Sequence, residues 1–328
     1  MPATKLPQVL SQMTEQFVEA TDGTKLFVRT YAPPKASGTP IVLLDGIGCE
    51  GYAWTYFADY FRESRPIIYW QYRGHGRSEV PSDFSTLTLK QVVADLGRVM
   101  RATNTPSAIL CGHSMGVQVA LESYRNLRSS IEGLILMCGG YEHPIESFHG
   151  AASKEARPTL SNRMMQHIFP LLTGAFINYP ETATEVWRRL IPTNTMYEIA
   201  VRTEVNGRRI DRRDFWPYFE HLGSMDMRVF AHLARALAEH SAADVLPTVE
   251  VPTLVIGAGR DTFTPVWLSE DMWRRIPESD YLHIKDGTHA TPIEHPQLIN
   301  LRVEKFLRER IDLKKKSKAT KRRARKSA

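Results

Sequence analysis

Six short predicted strands, most of them apolar runs, separated by stretches of helical periodicity, constrain this chain more than any other feature. PIVLLD (40–45), PIIYWQ (66–71), AILC (108–111) and IEGLILM (131–137) come first; VPTLVIGAG (251–259) and DYLHIKDG (280–287) come late. A strand that is apolar at successive positions has both faces to bury, as strands of parallel sheets do. The intervening segments supply the cover. One helix is predicted around YAWTYFADYF; another, capped by Thr88, sets Leu89, Val92, Val93 and Leu96 on one face. A third follows Ser114, with Val117, Ala120, Leu121 and Tyr124 at helical spacing. Ahead of them, QFVEA and KLFVRTYA flank Asp22-Gly23 and read as a hairpin. The pattern predicts an α/β fold whose mostly parallel sheet is flanked by helices.

The alternation stops after Gly140. Residues 145–245 hold helical segments rich in Met and aromatic side chains and no convincing strand. Helices inserted between two strands of one sheet form a cap. The expected division is therefore a core from 1–144 and 246–310, a helical cap over 145–245, and a basic, disordered tail over 311–328. A final helix before that tail puts Ile299, Val303, Phe306 and Leu307 on one face. The formal net charge is +6, yet residues 314–328 contain nine Lys and Arg and no acid, which leaves the rest of the chain net negative. Such a tail predicts non-specific contact with nucleic acid or an anionic surface. No transmembrane run and no secretory signal are read, and three cysteines without paired spacing fit a reducing cytoplasm. The 42% apolar content suffices for a sizeable core.

Between the AILC strand and the helix after it lies Gly112-His113-Ser114-Met115-Gly116. A G-x-S-x-G turn from strand to helix places a serine on a strained backbone, where side chains two positions to either side would strike the strand or the helix. A structural glycine turn has the same local form, so the partners decide. A serine nucleophile needs a base, and the base needs an acid to hold its tautomer. Asp261, in IGAGRDTFTP, and His289, in KDGTHATPIEHP, each follow a predicted strand, in the chain order serine, acid, histidine.

Together with DGIG after the third strand, YRGHGRS (72–78) and the segment joining cap to core, these motifs resemble the α/β-hydrolase superfamily, in particular its esterase-like and haloperoxidase-like members, over about residues 16–310. The resemblance implies a Ser114–His289–Asp261 triad and an oxyanion hole from the backbone N–H groups of Ile47 and Met115. It also exposes departures. Asp45 stands where the family usually has histidine, and is expected to bond loop amides or Arg73; Gln71 stands where an acid is frequent. Glu142 is the alternative triad acid. His113 is read as support for the turn, His283 and His295 as non-ligands, and the cysteines as small buried hydrophobes. Trp187, Phe215, Trp216, Phe219 and Phe230 of the cap are candidates for substrate contact or for cap core.

The function expected is cofactor-independent and metal-free: a serine hydrolase opening an ester, thioester or lactone of a small to medium apolar acid, with a small molecule as its substrate. Perhydrolysis, carbon–carbon bond hydrolysis and acyl transfer could use the same triad. A hydrolase-fold binding protein without activity is the alternative of another class.

Overall fold

The structure, a computed structural model, describes residues 14–32, 38–149 and 157–313. Eight strands form one sheet: β1 (Thr14–Glu19), β2 (Lys25–Tyr31), β3 (Ile41–Leu44), β4 (Ile67–Trp70), β5 (Ala108–His113), β6 (Ile131–Met137), β7 (Thr253–Ala258) and β8 (Asp280–Ile284). Their order is β1-β2-β4-β3-β5-β6-β7-β8. β1 pairs antiparallel with β2, and β2 with β4; every other neighbour is parallel. The hairpin read at Asp22-Gly23 is the β1–β2 connection, and the six strands read after it are β3 to β8.

The continuous apolar runs serve two cores. Val42, Leu44, Ile68, Leu110, Leu134, Leu136 and Val255 share one cluster with α2 (Leu89–Ala102) and α3 (Met115–Leu127). Ile41, Leu43, Ile67, Ile109, Ile135, Leu254 and Ile256 share the other, with residues of α1 (Thr55–Phe61) and the C-terminal helix. Successive strand residues point to opposite faces, so a strand buried on both sides is apolar at most of its positions. Thr88 caps α2 as its sequence implies, its hydroxyl accepting from the Gln91 N–H at 3.2 Å.

Between β6 and β7 the chain forms α4 (Pro144–Ser147), α5 (Leu160–Asn178), α6 (Pro180–Leu190), α7 (Asn194–Thr203), α8 (Arg212–Ser224) and α9 (Met227–Glu239). Among the described residues of this stretch no strand forms beyond a single bridge between Glu142 and Ser241. α10 (Val266–Arg275), α11 (Thr291–Glu294) and α12 (Pro296–Phe306) return to the sheet, and a π-helical turn, Leu307–Asp312, prolongs α12. Ile299, Val303, Phe306 and Leu307 are all buried there. The basic segment 314–328 lies outside the described residues. Among those described, no helix is long and apolar enough to cross a membrane.

Candidate active site

Ser114 joins β5 to α3 with φ 56° and ψ −120°, a backbone that L-residues rarely adopt. Two close approaches hold it there. A Cβ on Gly112 would lie 2.3 Å from the Gly116 carbonyl oxygen; one on Gly116 would lie 2.1 Å from that of Leu44. Both distances are far inside van der Waals contact, so α3 can dock against β3 and β5 only with glycine at both positions. The turn is thus enforced by packing, and it aims Ser114 Oγ away from the sheet at the helix N-terminus.

Two loops beyond the carboxyl ends of β7 and β8 bring the partners. His289 Nε2 lies 3.0 Å from Ser114 Oγ, and its Nδ1 lies 2.9 and 3.1 Å from the two carboxylate oxygens of Asp261. Asp261 is itself fixed: Oδ1 accepts from the N–H groups of Phe263 and Thr264, both at 2.9 Å, and Oδ2 accepts from the Thr264 hydroxyl at 2.8 Å. The structure therefore brings Ser114, His289 and Asp261 into one hydrogen-bonded line. Glu142 is elsewhere, with Ser241 as its partner.

His113, fully buried, lies with Nε2 2.8 Å from the carbonyl of His289 and its ring 4.9 Å from the His289 ring. Burial pushes its pKa down to about 3, with repulsion from His289 the next cause. The neutral ring therefore carries its proton on Nε2 and donates to that carbonyl. Thr288, just before His289, is held through its N–H and hydroxyl by Glu294, whose Oε1 also accepts from the N–H of Asn206 between α7 and α8.

The loop after β3 passes directly over the serine: a Cβ on Gly46 would come within 3.1 Å of Ser114 Cβ. Met115 opens α3, so its N–H has no intrahelical partner; Ile47 lies on the facing loop. Asp45, at the end of β3, is buried and accepts from the Tyr69 hydroxyl at 2.9 Å, while its carbonyl accepts from the Tyr72 hydroxyl at 3.1 Å. Burial raises its carboxyl to about 7 against the pull of Tyr69, Trp54 and the Gly51 amide. The side-chain partner of Asp45 is thus the Tyr69 hydroxyl, and Arg73, one of the partners expected, is not at it. Arg73 instead grips Asp95 through Nε and a terminal nitrogen, each at 2.8 Å, and Asp22 and Thr86 through the other. The reason is reach: Asp95 is a buried carboxylate on α2 presented to both arms of the guanidinium. Gln71 bonds Glu50 and the Arg77 N–H. Burial, with Asp45 beside it, pushes the Cys49 thiol up, so it stays protonated near the serine.

The cap aromatics divide. Phe230 and Leu222 press on the loop after β3, 3.5 and 2.9 Å from where a Cβ on Gly48 would sit. Phe215 and Phe219 are buried among Tyr52, Tyr197, Trp216 and Tyr218, and Trp187 packs edge-on to Phe176 while its indole N–H donates to the Leu222 carbonyl. An aromatic residue not singled out from the sequence lies against the base instead: Phe263 stands 4.9 Å from the His289 ring, and Phe148 stands behind it, 5.0 Å from Phe263. Phe263 sits two residues past Asp261, so the acid motif itself carried that signal. Among the described residues, no group of three or more His, Cys, Asp or Glu side chains is placed to hold a metal ion. His283 is exposed on β8, and His295 faces Asp286 at 3.6 Å.

Comparison with known proteins follows the same lines. A family model described as the alpha/beta hydrolase family matches residues 41–300. A protein of Mycobacterium tuberculosis named probable oxidoreductase EphD is 23% identical over 312 residues, covering 93% of this chain and 50% of its own; the chain thus spans half the length of that relative. The 3-oxoadipate enol-lactonase 1 of Acinetobacter baylyi is 21% identical over 294 residues, covering 88% of this chain and 95% of its own. The crystal structure of bromoperoxidase from Bacillus anthracis superposes with a TM-score of 0.71 at 16% identity, over 90% of this chain and all of the other.

Proposed function

The chain belongs to the alpha/beta hydrolase family, and from that premise we propose that it is a cofactor-independent serine hydrolase opening an ester or lactone of a small to medium apolar acid through an acyl-enzyme. The observation that carries this reading is the unbroken line from Ser114 Oγ through His289 to Asp261, with separations of 3.0 and 2.9 Å. The Ser114 oxygen attacks the carbonyl carbon as His289 Nε2 accepts its proton, and Asp261 stabilises the imidazolium that forms. Negative charge gathers on the carbonyl oxygen, which the N–H groups of Ile47 and Met115 receive. His289 passes the proton to the leaving oxygen as that bond breaks. Water then attacks the acyl carbon as His289 takes its proton, and His289 returns that proton to Ser114 Oγ as the bond from Oγ to the acyl carbon breaks and the acid leaves.

Phe263, against the His289 ring, and Leu222 and Phe230, against Gly48 of the loop facing Ser114, are the apolar side chains we assign to acyl-group contact. The lactonase activity in the name of the Acinetobacter relative belongs to the same reaction class, since a lactone is a cyclic ester. The test is a fluorophosphonate probe followed by peptide mapping, alongside hydrolysis of p-nitrophenyl esters from acetyl to dodecanoyl and a set of lactones. Labelling confined to Ser114, with turnover of at least one ester or lactone series, is expected. An unlabelled Ser114 would refute the reading and leave a binding protein.

A further inference from the structure

The loop after β3 is held from below by a residue that the triad does not use. The N–H of Gly48 donates to Nε2 of His75 at 3.0 Å, and His75 Nδ1 lies 3.2 Å from the Arg73 carbonyl oxygen. Both contacts can be satisfied only one way. A backbone N–H requires a lone pair on Nε2, so the ring proton resides on Nδ1 and is donated to Arg73. The acceptor it donates to is immobile, because the Arg73 guanidinium is clamped by Asp95 and Asp22. His75 is completely buried, which drives its pKa down to about 3, with the nearby His221 ring as the second cause. The imidazole therefore stays neutral throughout the range in which such an enzyme would be assayed.

The Ile47–Gly48 peptide is a rigid unit, so fixing the Gly48 N–H fixes the Ile47 carbonyl. The Ile47 N–H lies in the preceding plane, which hinges on this one at the Ile47 Cα and is tied from its own carbonyl side, Gly46 accepting from the Cys49 N–H at 3.3 Å. From above, Leu222 and Phe230 of the cap close on Gly48, whose φ is +68°. The loop is thus gripped between a buried acceptor and the cap.

We infer that His75 is a positioning residue for the oxyanion hole: by accepting the Gly48 N–H it sets the Ile47–Gly48 peptide and so aims the Ile47 N–H at the carbonyl oxygen of the substrate. This rests on the reading of Ser114 as nucleophile given above.

The test uses the full chain with two variants of similar bulk, His75→Gln, whose amide oxygen reaches the place of Nε2, and His75→Met, which accepts no comparable bond. A misplaced oxyanion donor weakens transition-state binding and spares ground-state binding, so His75→Met should lower kcat for p-nitrophenyl butyrate about tenfold or more, with KM changed less than about threefold. A boronic acid that adds to Ser114 should lose affinity by the same factor, whereas His75→Gln should restore most of both. Endpoint labelling by fluorophosphonate, still one per chain, should show that the active protein is intact. Equal kcat in the two variants would overturn the proposal, as would a loss seen only in labelling stoichiometry or in KM. Should neither variant fold, nitrogen NMR of the wild-type ring decides: a bare Nε2 and a protonated Nδ1 from about pH 5.5 to 8 are expected, and the reverse tautomer refutes the contact. Failure of the nucleophile reading is separate, because it appears as an unlabelled Ser114 in the wild type.

Discussion

Replacing Asp261 by Asn alters one hydrogen-bonding atom, and the surrounding bonds dictate which. The carboxylate oxygen Oδ1 accepts two backbone N–H groups, from Phe263 and Thr264. An amide nitrogen placed there would face two donors, so the Asn oxygen must take that position and its NH₂ the position of Oδ2. That NH₂ then faces His289 Nδ1, now 2.9 Å from Oδ2. With this donor at 2.9 Å and the Asn oxygen at 3.1 Å from Nδ1, the closer contact favours a ring that accepts there and carries its proton on Nε2. His289 Nε2–H would then point at Ser114 Oγ and could not take the serine proton. The Thr264 hydroxyl can rotate to accept from the amide, so the fold should survive. The expected loss is on the order of 10⁴ in kcat, or about 5 kcal/mol of transition-state stabilisation. Steady-state hydrolysis of p-nitrophenyl butyrate, with thermal unfolding as the control, measures it. Glu142→Gln, at the bridge to Ser241 and outside the Ser114–His289–Asp261 line, should leave kcat within about threefold. Activity of the Asn variant within tenfold of wild type, or a larger loss in Glu142→Gln, would refute the tautomer argument and move the acid elsewhere.

Ser114→Ala should keep its unfolding temperature and lose on the order of 10⁴ or more in kcat; residual turnover within tenfold would exclude the acyl-enzyme route. Gly116→Ala should destabilise the protein by about 1–3 kcal/mol and abolish activity, because the new Cβ must push the end of β3 away from α3; urea unfolding and ester hydrolysis together read this. Asp45→Asn should stabilise, and the gain should depend on pH. The Asp45 carboxyl sits near 7 in the fold and about 3.9 unfolded, so the folded state holds the proton more tightly and loses stability as pH rises between those values. Unfolding at pH 8 should therefore show a gain of up to a few kcal/mol that shrinks towards pH 4, and an equal gain at both would contradict the burial argument. Deleting residues 314–328 should abolish low-salt retention on heparin and leave ester hydrolysis unchanged; loss of hydrolysis would mean that the segment reaches the site.

What the sequence disclosed follows from the range of the forces involved. Strands β3 to β7 were legible because burial on both faces demands apolar side chains at consecutive positions, a local pattern that no tertiary context is needed to read. Ser114 was legible for a related reason: Gly112 and Gly116 are excluded from being anything larger by contacts with each other's neighbourhood and with Leu44, so the constraint leaves its mark within five residues. Asp261 and His289 could be placed because each closes a strand. Contacts that depend on how distant elements meet left no such mark. Arg73 was equally free, in sequence, to meet Asp45 or Asp95, and only the packing of α2 against the sheet selects the latter. Phe148 follows β6 and Phe263 follows β7, and nothing in either segment says that the two rings meet, whereas Trp187 and Phe219, equally aromatic, turn in among the helices between those strands. His75 shows the limit most clearly. Its motif was visible, but the imidazole acts through a backbone N–H of Gly48, and a bond to a backbone atom requires no particular side chain at the other end. Positioning through the main chain therefore leaves one residue to be noticed where a side-chain pair would leave two, and it emerges only once β3 and β4 are laid side by side.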